Sequence, residues 1–138
     1  MQEAVRGGAR VLYGGGRIGP LLEPTVLTGT RPEMKVNCQE IFAPVVTVEP
    51  YDAFNDAVRQ INSSPYGLQA GIFTRDAKLL FNAYEELEVG GLMAGDVPSF
   101  RIDHMPYGGI KDSGFGREGL RYAIEEMTEP KLLVMNLR

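Results

Sequence analysis

A glycine-rich stretch near the end of the chain has the spacing of a nucleotide-binding motif. Residues 105–119 read MPYGGIKDSGFGREG, in which Gly114, Gly116 and Gly119 are spaced as G-x-G-x-x-G. In a dinucleotide site such glycines directly follow a strand and open a helix that meets the pyrophosphate, and an acid about 20 residues later binds the ribose. Here proline and paired glycines stand in place of the strand, and the residues just past that distance are not acidic. The pattern therefore favours a structural loop.

Cys38 and His104 are the sole cysteine and the sole histidine, so they form the one possible thiol-imidazole pair. Such a pair can carry out nucleophilic catalysis when cationic neighbours hold the cysteine as a thiolate. Cys38 instead lies close in sequence to Glu33 and Glu40, whose carboxylates disfavour a thiolate. His104 is not part of any metal-ligand spacing. These residues favour an inert thiol and a structural imidazole, and we expect no catalytic or metal-binding role for them.

Two charged positions remain as candidates on residue type alone. Glu40 lies in NCQEIFAPVV, where the acid precedes an apolar residue, an aromatic residue and a proline. Arg101 and Asp103 lie in PSFRIDHMP. Taken by themselves, the first is a solvated turn before a strand and the second is an exposed charged loop.

Composition limits the class of partner. The 138 residues are 43% hydrophobic, enough for one domain with a core, and carry a net charge of −4. With no basic block, the chain is not expected to bind nucleic acid or an anionic membrane. No apolar stretch reaches membrane-spanning length, the N-terminus lacks a signal-peptide core, and one cysteine cannot form an intrachain disulfide. A cytoplasmic location is the expectation.

Hydrophobic periodicity predicts alternating strands and helices through the middle of the chain. The predicted elements are a strand at 45–48, a helix within 52–64 capped by Asp52, a strand at 70–74, a helix opened by Asp76 and stopped by Gly90-Gly91, and a strand at 92–94. Strands joined in this way by helices run parallel. The fold class is therefore α/β.

The two ends of the chain carry further elements. Short strands are predicted at 10–13 and 24–28, a helix at 119–127 ended by Pro130, and the end of a helix before Gly7-Gly8. The final run KLLVMNL is strand-like and has no following partner. An unpaired edge of this kind favours pairing with another chain.

Several segments, in order and over essentially the whole chain, resemble the C-terminal portion of the NAD(P)-dependent aldehyde dehydrogenase superfamily. They are LLEPTVL, QEIFAPVV, SSPYGLQAGIFTRD, and MPYGGIKDSGFGREG followed by EEMTEPK. The resemblance implies a three-layer α/β/α catalytic domain with a mainly parallel sheet. It assigns residues 1–127 to that domain and 128–138 to an oligomerisation strand.

The resemblance also implies roles for three residues. Glu40 matches the acid that accepts hydrogen bonds from the nicotinamide-ribose hydroxyls of NAD or NADP, a task suited to its two acceptor oxygens. Phe42 matches the aromatic residue beside the nicotinamide. Arg101 falls in a stretch that borders the aldehyde entrance, where a guanidinium could recognise an anionic aldehyde. Ala43 replaces the usual glycine of the motif, so we expect no glycine-only backbone angle there.

The expected function is oxidation of an aldehyde to a carboxylic acid by an enzyme of which this chain is a C-terminal part. In the family the nucleophilic cysteine, the base and the oxyanion-stabilising asparagine lie upstream of the matched region, so the chain alone is expected to be inactive. Cys38 does not stand at the nucleophile position. The alternative is a non-catalytic assembly module that binds a homologue through its terminal strand, and a third hypothesis makes Cys38 a nucleophile by itself.

Overall fold

The structure is a computed structural model that describes residues 1–137. The chain forms two compact units, residues 1–64 and the residues from Pro65 onward. Each unit pairs its own strands, so the single domain expected from length is divided. Arg138, the last residue of the predicted oligomerisation strand, lies outside the described residues.

The first unit is built on a three-stranded mixed sheet. Its elements are α1 (Gln2–Arg6), β1 (Arg10–Tyr13), β2 (Arg17–Ile18), β3 (Leu21–Leu22), β4 (Thr25–Thr28), α2 (Lys35–Cys38), β5 (Val45–Thr47) and α3 (Phe54–Asn62). In the sheet, β4 lies between β1, which is antiparallel, and β5, which is parallel with Thr25 opposite Val45. The predicted strands at 10–13 and 24–28 are confirmed, and the structure shows that they pair with each other.

The first unit has few fully buried apolar residues. Leu27 of β4 is fully buried, and Ala4, Ala9 and Met34 form a small core cluster. The prediction that Asp52 caps the third helix is wrong. The N-cap is Ala53, in extended conformation, and no side chain caps the helix, because the chain becomes helical one residue later than predicted.

The second unit contains one strand-helix-strand unit with parallel strands. Its elements are β6 (Tyr66–Gly67), β7 (Gln69–Ile72), α4 (Ala77–Glu86), β8 (Gly91–Ala94), β9 (Ile110–Lys111) and α5 (Leu120–Met127). Strands β7 and β8 are parallel, as predicted for strands joined by a helix. Asp76 caps α4 as predicted, since its carboxylate accepts the N–H groups of Lys78 and Leu79. The α/β class is confirmed, and both parallel and antiparallel strand pairs occur within residues 1–137.

Residues 128–137 form no helix or strand within the described chain. Their large apolar side chains are exposed: Leu132, Leu133, Val134, Met135 and Leu137. The predicted oligomerisation strand therefore has no partner among residues 1–137, and pairing with another chain stays a prediction.

Candidate functional site

The segment carrying Glu40 and Phe42 is held against the sheet of the first unit. Helix α2 ends where Gln39 becomes extended, and the chain returns to the sheet at Pro44, whose carbonyl accepts the N–H of Thr25 at 2.9 Å. Val45 then begins β5 beside β4. The sheet thus fixes the backbone at the end of this segment.

Both side chains of the predicted cofactor contact are open to solvent. Phe42 is 99% exposed and Glu40 is exposed. Within residues 1–137 the Glu40 carboxylate has no hydrogen-bond or ion-pair partner, so both oxygens can accept hydroxyl groups. Ala43 has a negative φ, as predicted, because Lys111 is the one non-glycine residue of the described chain with a positive φ.

Arg101 in the second unit is engaged on two sides. Its Nη2 lies 2.9 Å from Glu118 Oε2, and its guanidinium carbon lies 4.6 Å from the centroid of the Tyr107 ring. The arginine is thus part of a defined cluster and not simply an exposed loop charge. Sequence reasoning missed Glu118, because no spacing rule connects two residues 17 positions apart across an irregular loop.

The glycine-rich loop holds a carboxylate from its own unit. The backbone N–H of Arg117 donates to Glu126 Oε1 at 2.9 Å, and a Cβ on Gly116, whose φ is +70°, would stand 2.6 Å from Glu126 Oε2. Strand β9, which lies within the glycine-rich stretch before Gly114, has two residues and pairs antiparallel with β6. These features differ from a strand that feeds directly into a pyrophosphate-binding turn, and they support the structural interpretation.

Lys111, the last residue of β9, adopts φ 55°. Its Nζ lies 2.7 Å from Glu88 Oε2, and its strand pairing places it opposite Tyr66. Lysine seldom adopts this backbone conformation.

Cys38 lies beside a cavity of about 360 Å³ in the first unit, which is also lined by Glu49, Gln60 and Ser63. Its Sγ lies 3.6 Å from the Glu33 carbonyl oxygen. His104 is exposed. In the described part of the chain, no group of three or more His, Cys, Asp and Glu residues could hold a metal ion.

The carboxylate of Glu49, which lines that cavity, has a shifted pKa and accepts a hydrogen bond from the backbone. Partial burial raises the pKa of Glu49, but hydrogen bonds from the Thr30 N–H at 2.6 Å and the Thr30 hydroxyl at 2.8 Å, with the Gly29 N–H, outweigh it. The net result is a pKa below the ordinary value, so the ionised form is stabilised.

The parallel strand pairs and their helices define the chain as part of an α/β protein. A model of the aldehyde dehydrogenase family matches residues 1–133. The chain therefore belongs to the aldehyde dehydrogenase family.

Individual relatives extend over the same region. The 3-sulfolactaldehyde dehydrogenase of Priestia megaterium is 49% identical over 137 residues, which are 99% of this chain and 29% of that protein. The crystal structure of aldehyde dehydrogenase 21 from Physcomitrella patens, in complex with the reaction product succinate, superimposes with a TM-score of 0.93 at 48% identity. The match covers 97% of this chain and 28% of that one.

A third relative is the glyceraldehyde-3-phosphate dehydrogenase of Methanocaldococcus jannaschii, solved in complex with NADP. The two structures superimpose with a TM-score of 0.86 at 39% identity. The match covers 91% of this chain and 27% of that protein. This chain thus spans under a third of the length of each of these relatives. No described helix is long and apolar enough to cross a membrane.

Proposed function

We propose that this chain is part of an NAD(P)-dependent enzyme that oxidises an anionic aldehyde to a carboxylic acid. Within that enzyme, the residues of this chain orient the cofactor and line the substrate entrance. The observation that carries the proposal is the exposed Glu40 carboxylate, which has no partner within residues 1–137, beside the fully exposed Phe42.

Glu40 and Phe42 would position the cofactor without reacting themselves. When bound, the nicotinamide supplies the hydride acceptor for aldehyde oxidation. The Glu40 oxygens accept hydrogen bonds from the two ribose hydroxyls, and the Phe42 ring limits the positions that the nicotinamide can take. Fixing both groups before reaction lowers the entropy cost of hydride transfer.

The anionic substrate class is supported by three relatives and by Arg101. Two of them are named for a sulfonated and a phosphorylated aldehyde, and the third was solved with its reaction product succinate. Each compound carries an anionic group, which a guanidinium can bind through several N–H donors. Arg101 supplies such a group in the second unit, with its side chain 47% exposed.

Turnover requires a thiol nucleophile, and we propose that it is supplied by polypeptide outside this chain. The resemblance places the nucleophile upstream of the matched segments, and Cys38 stands beside the Glu40 motif. The isolated chain is then inactive. NAD(P) reduction by the isolated chain that disappears in Cys38→Ala would overturn this assignment.

The substrate proposal can be tested by kinetic measurements on the native protein that contains this chain. We expect NAD or NADP reduction with sulfonated, carboxylated and neutral aldehydes of matched length, with lower KM values for the anionic ones. Arg101→Ala should raise KM for anionic aldehydes on the order of tenfold or more, through loss of a charge-assisted contact, and leave neutral ones almost unchanged. Equal effects on both groups would remove the anionic assignment.

A second function is favoured by the exposed apolar side chains of residues 131–137. We propose that this segment pairs with a sheet edge of another copy, giving a homo-oligomer. Leu133→Asp together with Met135→Asp should lower the assembled mass in sedimentation, whereas Lys131→Asp, a polar change in the same segment, should not. An assembly that the double variant leaves intact would contradict this role. The cytoplasmic location also stays a proposal, testable by cell fractionation.

A further inference from the structure

The guanidinium of Arg101 is fixed by two residues that are themselves fixed to each other. Tyr107 and Glu118 form a backbone pair, in which Glu118 N–H donates to the Tyr107 carbonyl at 2.6 Å and Tyr107 N–H donates to the Glu118 carbonyl at 3.2 Å. The pair presents a ring face and a carboxylate to the same arginine. The position of Arg101 is therefore set by these two residues.

Part of the guanidinium remains available. Glu118 binds Nη2, while Nη1 and Nε of Arg101 have no hydrogen-bond partner among residues 1–137. The Arg101 and Glu118 side chains are 47% and 62% exposed. An anion can bind the open N–H groups, but it then lies close to the Glu118 carboxylate as well.

The neighbouring carboxylate changes how the arginine responds to charge. A second negative group repels a bound anion in proportion to the charge of that anion, so a dianion is disfavoured more than a monoanion of equal shape. We propose that Glu118, acting through Arg101, sets the charge selectivity of the substrate entrance in favour of monoanionic groups. The inference rests on the proposed function, because it takes Arg101 as the anion contact.

Glu118→Gln is a sharp test because it removes the charge and keeps an oxygen that can accept from Nη2. Sulfoacetaldehyde and phosphonoacetaldehyde are matched probes, since both end in a tetrahedral oxyanion and differ by one charge at alkaline pH. In the native protein we expect Glu118→Gln to raise the ratio of the sulfoacetaldehyde KM to the phosphonoacetaldehyde KM on the order of tenfold. The KM for propanal should stay the same.

Unreactive probes separate binding from turnover. The ratio of inhibition constants for ethanesulfonate and ethylphosphonate should shift in the same direction and by a similar factor. Glu125→Gln is the matched control, because it removes one charge from an exposed pair with Arg121 in the same unit. An unchanged ratio in Glu118→Gln, or an equal shift in Glu125→Gln, would overturn the inference.

Arg101→Ala distinguishes the two possible failures. If Arg101→Ala leaves binding of both anionic probes unchanged, the assignment of Arg101 as the anion contact has failed, and the role of Glu118 fails with it. If Arg101→Ala weakens binding of both probes while Glu118→Gln leaves the ratio of their inhibition constants unchanged, the role of Glu118 alone is rejected.

Discussion

The Glu126 carboxylate lies against the glycine-rich loop and accepts the backbone N–H of Arg117 at 2.9 Å. The Arg117 guanidinium in turn donates to the carbonyls of Gly109 and Gly116. A loop whose glycine spacing resembles an anion site thus already contains an anion, provided by α5. The contact joins the loop to the helix that follows it.

Removal of this contact should destabilise the loop. Glu126→Ala is expected to lower the free energy of unfolding by about 1 kcal/mol, because the Arg117 N–H loses its charged acceptor. Glu125→Ala on the same helix removes only an exposed ion pair with Arg121 and should cost less than about 0.5 kcal/mol. Urea unfolding of both variants measures the difference. Equal losses in the free energy of unfolding would show that the Glu126 contact does not stabilise the loop.

Gly90 is predicted to be the least replaceable glycine of the second unit. A Cβ there would stand 1.8 Å from the Gly108 carbonyl oxygen, a backbone atom that can move only with the segment between Tyr107 and β9. Gly90→Ala should therefore cost about 3 kcal/mol. Gly95→Ala is the control, since its φ of +73° is unfavourable for alanine but nothing lies within 4 Å, so about 1 kcal/mol is expected. Thermal unfolding measures both variants, and equal losses of stability in the two would refute the steric account.

Glu49 should contribute to acid sensitivity. Its pKa in the folded state lies below the ordinary value of 4.5. The stabilisation is therefore present above that value and is lost as pH falls through the lower folded pKa. In urea unfolding between about pH 3 and pH 7, Glu49→Gln should flatten the decline in stability below about pH 4.5. A decline as steep as in the unmodified protein would show that other carboxylates account for it.

Glu40→Gln tests the proposed cofactor contact. An amide has one acceptor oxygen in place of two, so in the native protein KM for NAD or NADP should rise on the order of tenfold, with little change in the aldehyde KM. Glu33→Gln, an exposed acid of the same unit paired with Arg31, is the matched control. If both variants behave alike, Glu40 has no specific cofactor role.

Much of the fold could be predicted because local rules decide it. Short runs of β-branched and apolar residues located β4, β5 and β7 to within two residues, and Asp76 capped α4 because its carboxylate needs only the next turn of backbone. The third helix shows the limit of the same rule. Asp52 is also a good capping residue, but the backbone before Phe54 turns helical one position too late for it.

Sequence alone determined the class of this protein and the identity of its candidate residues. Glycine spacing, the residues around Glu40 and the order of the segments are properties of the chain itself. Only the tertiary structure decided that Glu126 fills the glycine-rich loop and that Glu118 and Tyr107 hold Arg101. These contacts join residues across irregular loops, where no helical or strand period relates sequence separation to distance in space.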